Sequence, residues 1–227
     1  MQDYKKLEKT IGVNFNDEEL LKNAFVHKSY VNENKDSKDN ERLEFLGDAV
    51  LELATTRYLY DTCPNSQEGE LTAFRSALVK GKHLASVAEE LGLGDYLSLS
   101  HGEEKSGGRE KKYILANTVE ALIGAIYMDQ GYETAEKFIA KFILTKLDEI
   151  IAQGLYIDAK SKFQELIQEK EDFTPYYEVL SEDGPDHNKE FTVGVYVKND
   201  LIAKGQGSSK QKAEVVAAEN ALIALDL

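Results

Sequence analysis

Along residues 40–54, NERLEFLGDAVLELA, apolar side chains recur at helical spacing. Leu43, Leu46, Val50 and Leu53 share one arc, and Phe45, Ala49 and Leu51 widen it. Glu41, Glu44 and Asp48, at positions i, i+3 and i+7, fall within an arc of about 60° on the other side. The pattern predicts a core helix, apolar around most of its girth and broken only by an acidic stripe. Arg42 lies off to one side, and no lysine stands at i+4 to relieve the stripe. Like charges about 4 Å apart repel by roughly 4 kcal/mol at an effective dielectric of 20. The stripe is therefore a solvated face, or a cluster that takes up protons or binds a cation.

Helical patterning continues through the first two thirds of the chain. Leu20, Leu21, Ala24 and Phe25 open it, and Leu78, Leu84, Val87, Ala88 and Leu91 lead to a stop near Gly92 and Gly94. SHGEEKSGGREKKY (100–113) reads as a glycine-rich charged loop. ILANTVEALIGAIYMDQG (114–131) then reads as a second, nearly all-apolar helix. A further helix is expected over residues 133–153, ending at Gly154.

In the second apolar helix Asn117 and Glu120 stand three apart, hence on one face. Two helices, each with an oxygen-bearing stripe, can pool Glu44, Asp48, Asn117 and Glu120 into an all-oxygen cage. Hard donors without cysteine or suitably spaced histidine point to magnesium or manganese rather than zinc. A solvated face and a buried structural network remain open as alternatives.

Beyond Leu155 the period changes. Phe163, Leu166 and Ile167 mark a short helix. Residues 177–180 and the alternating Phe191, Val193, Val195 and Val197 mark two strands around the breaker-rich EDGPDHNK. Residues 201–204 make a third short strand, and Ala213, Val216, Ala217, Ala221 and Ala224 a closing helix. The order α-β-β-β-α implies a small α+β domain with its helices on one face of an antiparallel sheet. The expected organisation is a helical domain (1–153), a joint (154–158) and this domain (159–227).

Composition sharpens the picture. The single cysteine, Cys63, excludes an internal disulfide framework. No apolar leader opens the sequence, and the run of residues 121–128 is too short for a membrane span of roughly 20 residues, so a cytoplasmic protein is expected. The net charge of −14 argues, by itself, against a polyanionic partner.

NERLEFLGDAVLELA resembles the signature of bacterial ribonuclease III. HKS (27–29), EGELTAFRSALV (68–79), GEEKSGGR (102–109) and ILANTVEALIGAIYMDQG follow in that family's order. GPDHNKEF (184–191) and GQGSSKQKAEVVAAENAL (205–222) resemble a double-stranded-RNA-binding domain. The resemblance implies an all-α endonuclease domain and a homodimer. It further implies cleavage of both strands of double-stranded RNA, leaving 5′-phosphate and 3′-hydroxyl ends, with ribosomal precursors and structured messages as substrates. Glu44, Asp48, Asn117 and Glu120 fall on the family's metal-binding positions, with Asp48 and Glu120 central to catalysis, for Mg²⁺ or Mn²⁺. Ser29, Ser76 and Cys63 show no base partner in the sequence, so no protein nucleophile is expected. Glu41 and Glu68 match acids near the subunit interface and the RNA path, and Phe45 an interface aromatic that could equally be core.

One departure stands out: the family usually has Asp where this chain has Asn117. An amide oxygen still suits Mg²⁺ but brings one charge fewer. The alternative to an active enzyme is therefore a duplex-RNA binder weakened or silenced at that position.

From Ile157 onward eight Lys and no Arg face fourteen Asp and Glu. Binding then depends on where the lysines sit. By resemblance, Gln164 and His187 reach the minor groove, while Lys210 and Lys212, in the first turn of the last helix, hold phosphates. Gln211 replaces the second of the usual paired lysines. Lys105, Arg109, Lys111 and Lys112 could add contacts or form a solvated loop. His27 is expected to pack at a helix end, and His83 and His101 to lie on the surface. No nucleotide-type phosphate loop is present.

Overall fold

The computed structural model describes residues 3–152, 154, 156, 159–185 and 189–225. The chain divides into two units, Met1–Tyr156 and Ile157–Leu227. Of the expected joint, only Gly154 and Tyr156 lie among the described residues.

The first unit is helical: α1 (Tyr4–Ile11), α2 (Glu18–Asn23), α3 (Lys28–Glu33), α4 (Glu41–Thr62), α5 (Glu68–Val79) and α6 (Gly81–Glu90). These are followed by α7 (His101–Lys105), α8 (Lys112–Gln130), α9 (Tyr132–Phe142) and α10 (Leu147–Ala152). Its centre is α8, whose near-absence of polar side chains lets it bury residues all round, from Ile114 to Ile126. Thr118 joins them by returning its hydroxyl to the Ile114 carbonyl at 2.7 Å.

The longest contact of the fold is α4 against α8. Gly47 and Gly124 meet at the crossing: a Cβ on Gly47 would stand 1.7 Å from the Glu120 carbonyl oxygen, and one on Gly124 2.2 Å from that of Leu43. Glycine inside a helix costs about 1 kcal/mol relative to alanine. Here backbone-to-backbone approach requires it.

Three expectations need correction. The segment 100–113 is folded rather than open: it forms α7 and a 3₁₀ turn, Gly108–Glu110. Arg109 clamps that turn, donating to Glu104 (2.6 and 2.8 Å) and to the carbonyls of Gly94 and Leu97. Lys111 pairs with Glu103 at 2.6 Å. The helix expected over 133–153 breaks after Phe142 into a 3₁₀ turn, Leu144–Lys146, and α10. The break buries both Ile143 and Leu144 and leaves the Ile143 carbonyl to His83 Nε2 at 3.1 Å, so His83 is half-buried rather than a surface residue.

The second unit follows the α-β-β-β-α order: α11 (Ala159–Glu171), β1 (Tyr176–Asp183), β2 (Glu190–Val197), β3 (Asp200–Gly207) and α12 (Lys210–Ala224). The sheet is antiparallel, ordered β1-β2-β3, with Tyr177 opposite Val195 and Val195 opposite Ala203. The third strand is as long as the others, not short. Val195 and Val197 pack with Phe163, Ile167, Ala217 and Ala221. The alanines of α12 let it lie close on β3, where a Cβ on Gly205 would meet the Ala217 nitrogen at 2.2 Å.

Candidate functional site

The Gly47–Gly124 crossing sets the acidic stripe of α4 beside the polar face of α8. Asn117 Nδ2 donates to Glu44 Oε1 at 2.8 Å. Burial raises the Glu44 carboxyl above its ordinary range, against the Asn117 hydrogen bond, and the charges of Glu41 and Asp48 add to the rise. Glu120 is half-buried. Burial, then the charges of Asp48 and Glu44, push its pKa up to about 7. Asp48 is exposed. The four residues singled out in the sequence are thus brought together.

Among the described residues no three Asp, Glu, His or Cys side chains converge closely enough to form a metal-binding group. Glu44 is turned to the Asn117 amide. The donor chemistry nevertheless fits a hard divalent cation: three carboxylates and one amide oxygen, the charged forms of Glu44 and Glu120 disfavoured by burial and then by neighbouring carboxylates.

A recess beside the group is lined by His27, Lys28, Glu41, Glu44, Tyr113 and Asn117. Glu41 pairs within its own chain, with Lys28 Nζ at 3.2 Å. His27 is the N-cap of α3, as a helix-end residue should be. Ser29 does have a base partner, contrary to the sequence reading: its Oγ lies 2.8 Å from His27 Nδ1. The same Oγ accepts the Ser100 N–H at 3.1 Å, so the pair is tied into the framework.

Glu68 stands apart. It opens α5 and lines a separate recess with Thr56, Tyr60, Thr72 and Arg75. Tyr60 is sixteen residues beyond Glu44 on one helix, about 24 Å at 1.5 Å per residue. Phe45 is not core: it is 81% exposed. With Leu53 at 58% and Tyr60 at 75%, and with exposed Ala49 between, it forms an apolar stripe along α4. The expectation that only acids break the apolar cylinder is therefore corrected, since a second, apolar stripe faces outward beside them.

In the second unit Gln164 is exposed on α11. Lys210 and Lys212 lie in the first turn of α12, where Ser209 caps by accepting the Lys212 N–H. His187 lies outside the described residues. Lys210 is not idle: its Nζ pairs with Glu182 at 3.0 Å and lies 5.7 Å from the Phe191 ring centre. Sequence reasoning missed this glutamate, as it missed Gly47 and Gly124. For the glycines a signal existed, one in the middle of each apolar helix. For Glu182 none did.

Known proteins resemble this chain in sequence and in fold. Residues 17–147 fit the family described as Ribonuclease-III-like, and residues 159–225 the Double-stranded RNA binding motif. The chain is 44% identical over 223 residues to Ribonuclease 3 of Pelotomaculum thermopropionicum, covering 97% of this chain and 92% of that protein. It is 46% identical over 221 residues to Ribonuclease 3 of Bacillus cereus, covering 96% and 90%. Among solved structures, the nuclease domain of ribonuclease III from Campylobacter jejuni aligns with a TM-score of 0.60 at 43% identity, over 63% of this chain and 97% of that one. That structure is described as flexible in the region involved in dimer formation. With a helical nuclease unit and a three-stranded RNA-binding unit in that order, the chain belongs to the ribonuclease III family of endoribonucleases.

Proposed function

We propose that the protein acts in the cytoplasm as a homodimer that hydrolyses both strands of double-stranded RNA, leaving 5′-phosphate and 3′-hydroxyl ends. Ribosomal precursors and structured messages are the expected substrates. The observation that carries the reading is the meeting of Glu44 and Asp48 with Asn117 and Glu120 across the Gly47–Gly124 crossing.

Glu44, Asp48, Asn117 and Glu120 would hold Mg²⁺, with Mn²⁺ as a substitute. When bound, such a cation supplies an acidified water and stabilises charge at the phosphate. Asp48, being exposed, is open to the approaching strand. Glu120, titrating near 7, exchanges its carboxyl proton at neutral pH, so protons and cations compete for the same oxygens. The Asn117 amide orients Glu44 without adding charge.

The outward stripe Phe45, Ala49, Leu53 and Tyr60 supports dimerisation, because contiguous exposed apolar surface marks an interface. Antiparallel pairing of two α4 helices about a twofold axis sets the Glu68 end of one copy beside the Glu41 end of the other, which gives both acids an interface role. Two sites then serve the two strands. In the second unit Gln164 and His187 reach the minor groove, and Lys210 and Lys212 the phosphates.

The test is cleavage of a long labelled RNA duplex across Mg²⁺ and Mn²⁺ titrations, beside Glu120→Gln. Metal-dependent short duplex products, absent in the variant, support the nuclease. Intact duplex at every metal concentration, with binding retained in a gel shift, supports a binder silenced at Asn117.

A further inference from the structure

His27 holds one fixed protonation pattern. The backbone N–H of Ser29 reaches its Nδ1 at 3.2 Å, and a backbone N–H only donates, so Nδ1 is an acceptor. Ser29 Oγ accepts the Ser100 N–H, which turns its own proton toward Nδ1 at 2.8 Å. Burial lowers the imidazole pKa, against the pull of Glu103. The ring is therefore neutral at pH 7, with its proton on Nε2. Backbone bonds hold the ring's base in place as well: His27 N donates to Ser98 O at 3.1 Å, and Ser98 N to Phe25 O at 2.8 Å.

The imidazole lines the recess that also holds Glu44 and Asn117. With Nδ1 engaged by Ser29, Nε2–H is the ring donor left for a ligand in the recess, and it has no acceptor among the described residues. A neutral donor suits that place. An ammonium there would pair with Glu44, as Lys28 pairs with Glu41, and would cancel the charge a cation needs. A neutral N–H attracts an acceptor oxygen without discharging the carboxylate.

We infer that His27 is a substrate-contacting residue of the nuclease site, its Nε2–H donating to an oxygen of the RNA backbone laid against Glu44 and Asn117. The oxygen belongs to a phosphate or to a 2′-hydroxyl. The inference rests on the reading that this site cleaves RNA. Ser29 and Ser100 act through His27 by holding its ring in place.

His27→Asn separates this role from capping. Asparagine is a good N-cap, so its side-chain oxygen keeps the Ser29 N–H satisfied, but it is too short to replace Nε2–H. The measurements are thermal midpoint, single-turnover cleavage of a labelled duplex at saturating Mg²⁺, and the Mg²⁺ concentration giving half-maximal rate. We expect a midpoint within a few degrees of wild type, an unchanged Mg²⁺ requirement and a rate lower by about 10- to 100-fold where the acceptor is a charged phosphate oxygen, or by about 2- to 10-fold where it is a neutral 2′-hydroxyl. If His27→Asn unfolds, Ser29→Ala decides: the backbone N–H at residue 29 still reaches Nδ1, but the hydroxyl that holds the ring at 2.8 Å is gone, so the imidazole is less firmly placed and the rate should fall several-fold with the Mg²⁺ requirement unchanged. Duplexes carrying one 2′-deoxy or one phosphorothioate substitution near the cut identify the oxygen, because the substitution that slows wild type should leave His27→Asn unaffected. Wild-type rates in the folded variants, or equal sensitivity of both proteins to every substitution, would overturn this inference alone. A wild type that cuts no duplex would overturn the nuclease reading and this inference with it.

Discussion

Asn117 Nδ2 donates to Glu44 Oε1 across the α4–α8 interface at 2.8 Å. The one uncharged member of the group thus steadies a carboxylate whose pKa burial has raised. Asn117→Asp removes the donor and adds a charge. The metal-free protein should lose about 1–2 kcal/mol, as a carboxylate loses its hydrogen bond and gains a repulsive neighbour. The Mg²⁺ requirement for cleavage should fall. Thermal melts in EDTA and a Mg²⁺ titration measure both, and an unchanged metal dependence would count against Asn117 as a ligand.

Glu120→Gln should abolish cleavage yet stabilise the metal-free protein at pH 8. The folded pKa, about 7, lies above the ordinary 4.5. For an acid raised in this way the unfolded chain binds fewer protons, so stability falls as pH climbs from 4.5 to 7 and stays low above it. Each unit is worth about 1.4 kcal/mol. After a discount for residual solvent, glutamine should recover on the order of 1–2 kcal/mol at pH 8 and almost nothing at pH 4. Denaturant melts at the two pH values give the sign directly.

Gly124→Ala drives a methyl to 2.2 Å from the Leu43 carbonyl oxygen. The roughly 1 kcal/mol gained in helix propensity is outweighed by overpacking of about 3 kcal/mol or more. Cleavage should be lost, because separating the helices separates Glu44 from Asn117. Gly69→Ala in α5 is the contrast: nothing stands within 4 Å of the added methyl, so it should be neutral or slightly stabilising. Similar melting temperatures for the two variants would argue against the close crossing.

Phe45→Asp combined with Leu53→Asp should leave the fold intact, since both side chains are largely exposed in the single chain. Sedimentation should then show a monomer where wild type, on the proposed reading, runs as a dimer, and coordinated cutting of both strands should vanish. A double variant that still sediments as a dimer would move the interface elsewhere.

Glu182 bridges Lys210 at 3.0 Å and Lys189 at 3.7 Å; if Lys210 holds an RNA phosphate as proposed, that phosphate must displace Glu182. Glu182→Gln should tighten duplex binding several-fold and steepen the slope of log K against log salt by about 0.9, one phosphate contact no longer exchanged against an internal carboxylate. Glu178→Gln makes the same change in net charge at an exposed position of the same strand. An equal effect from both would mean that net charge, not the ion pair, sets the affinity.

The helical periods, the change of grammar after residue 155 and the pairing of two oxygen-bearing helix faces were legible because side-chain spacing along a helix or strand is a local property. Arg109 and Lys111 were misread as free cations because their partners, Glu104, Glu103 and two carbonyls, gather only when residues 100–111 coil into short helices. Leu53 was assigned to the core because its neighbours along the helix are apolar. Which apolar arc of α4 meets α8 is decided by Gly47, and that choice leaves Phe45, Leu53 and Tyr60 outside.

The sequence by itself determined the main helices and strands, their order, and which four oxygen-bearing side chains stand on two helix faces, since these follow from residue type and spacing. Only the tertiary structure decided that Asn117 donates to Glu44, that Glu182 holds Lys210, and that Ser100 donates to the Ser29 hydroxyl beside His27. Each of these depends on distances between residues far apart in the chain. Such distances are fixed by how closely two backbones can approach, and between Glu44 and Asn117 that limit is set by two glycines with no side chain to keep the helices apart.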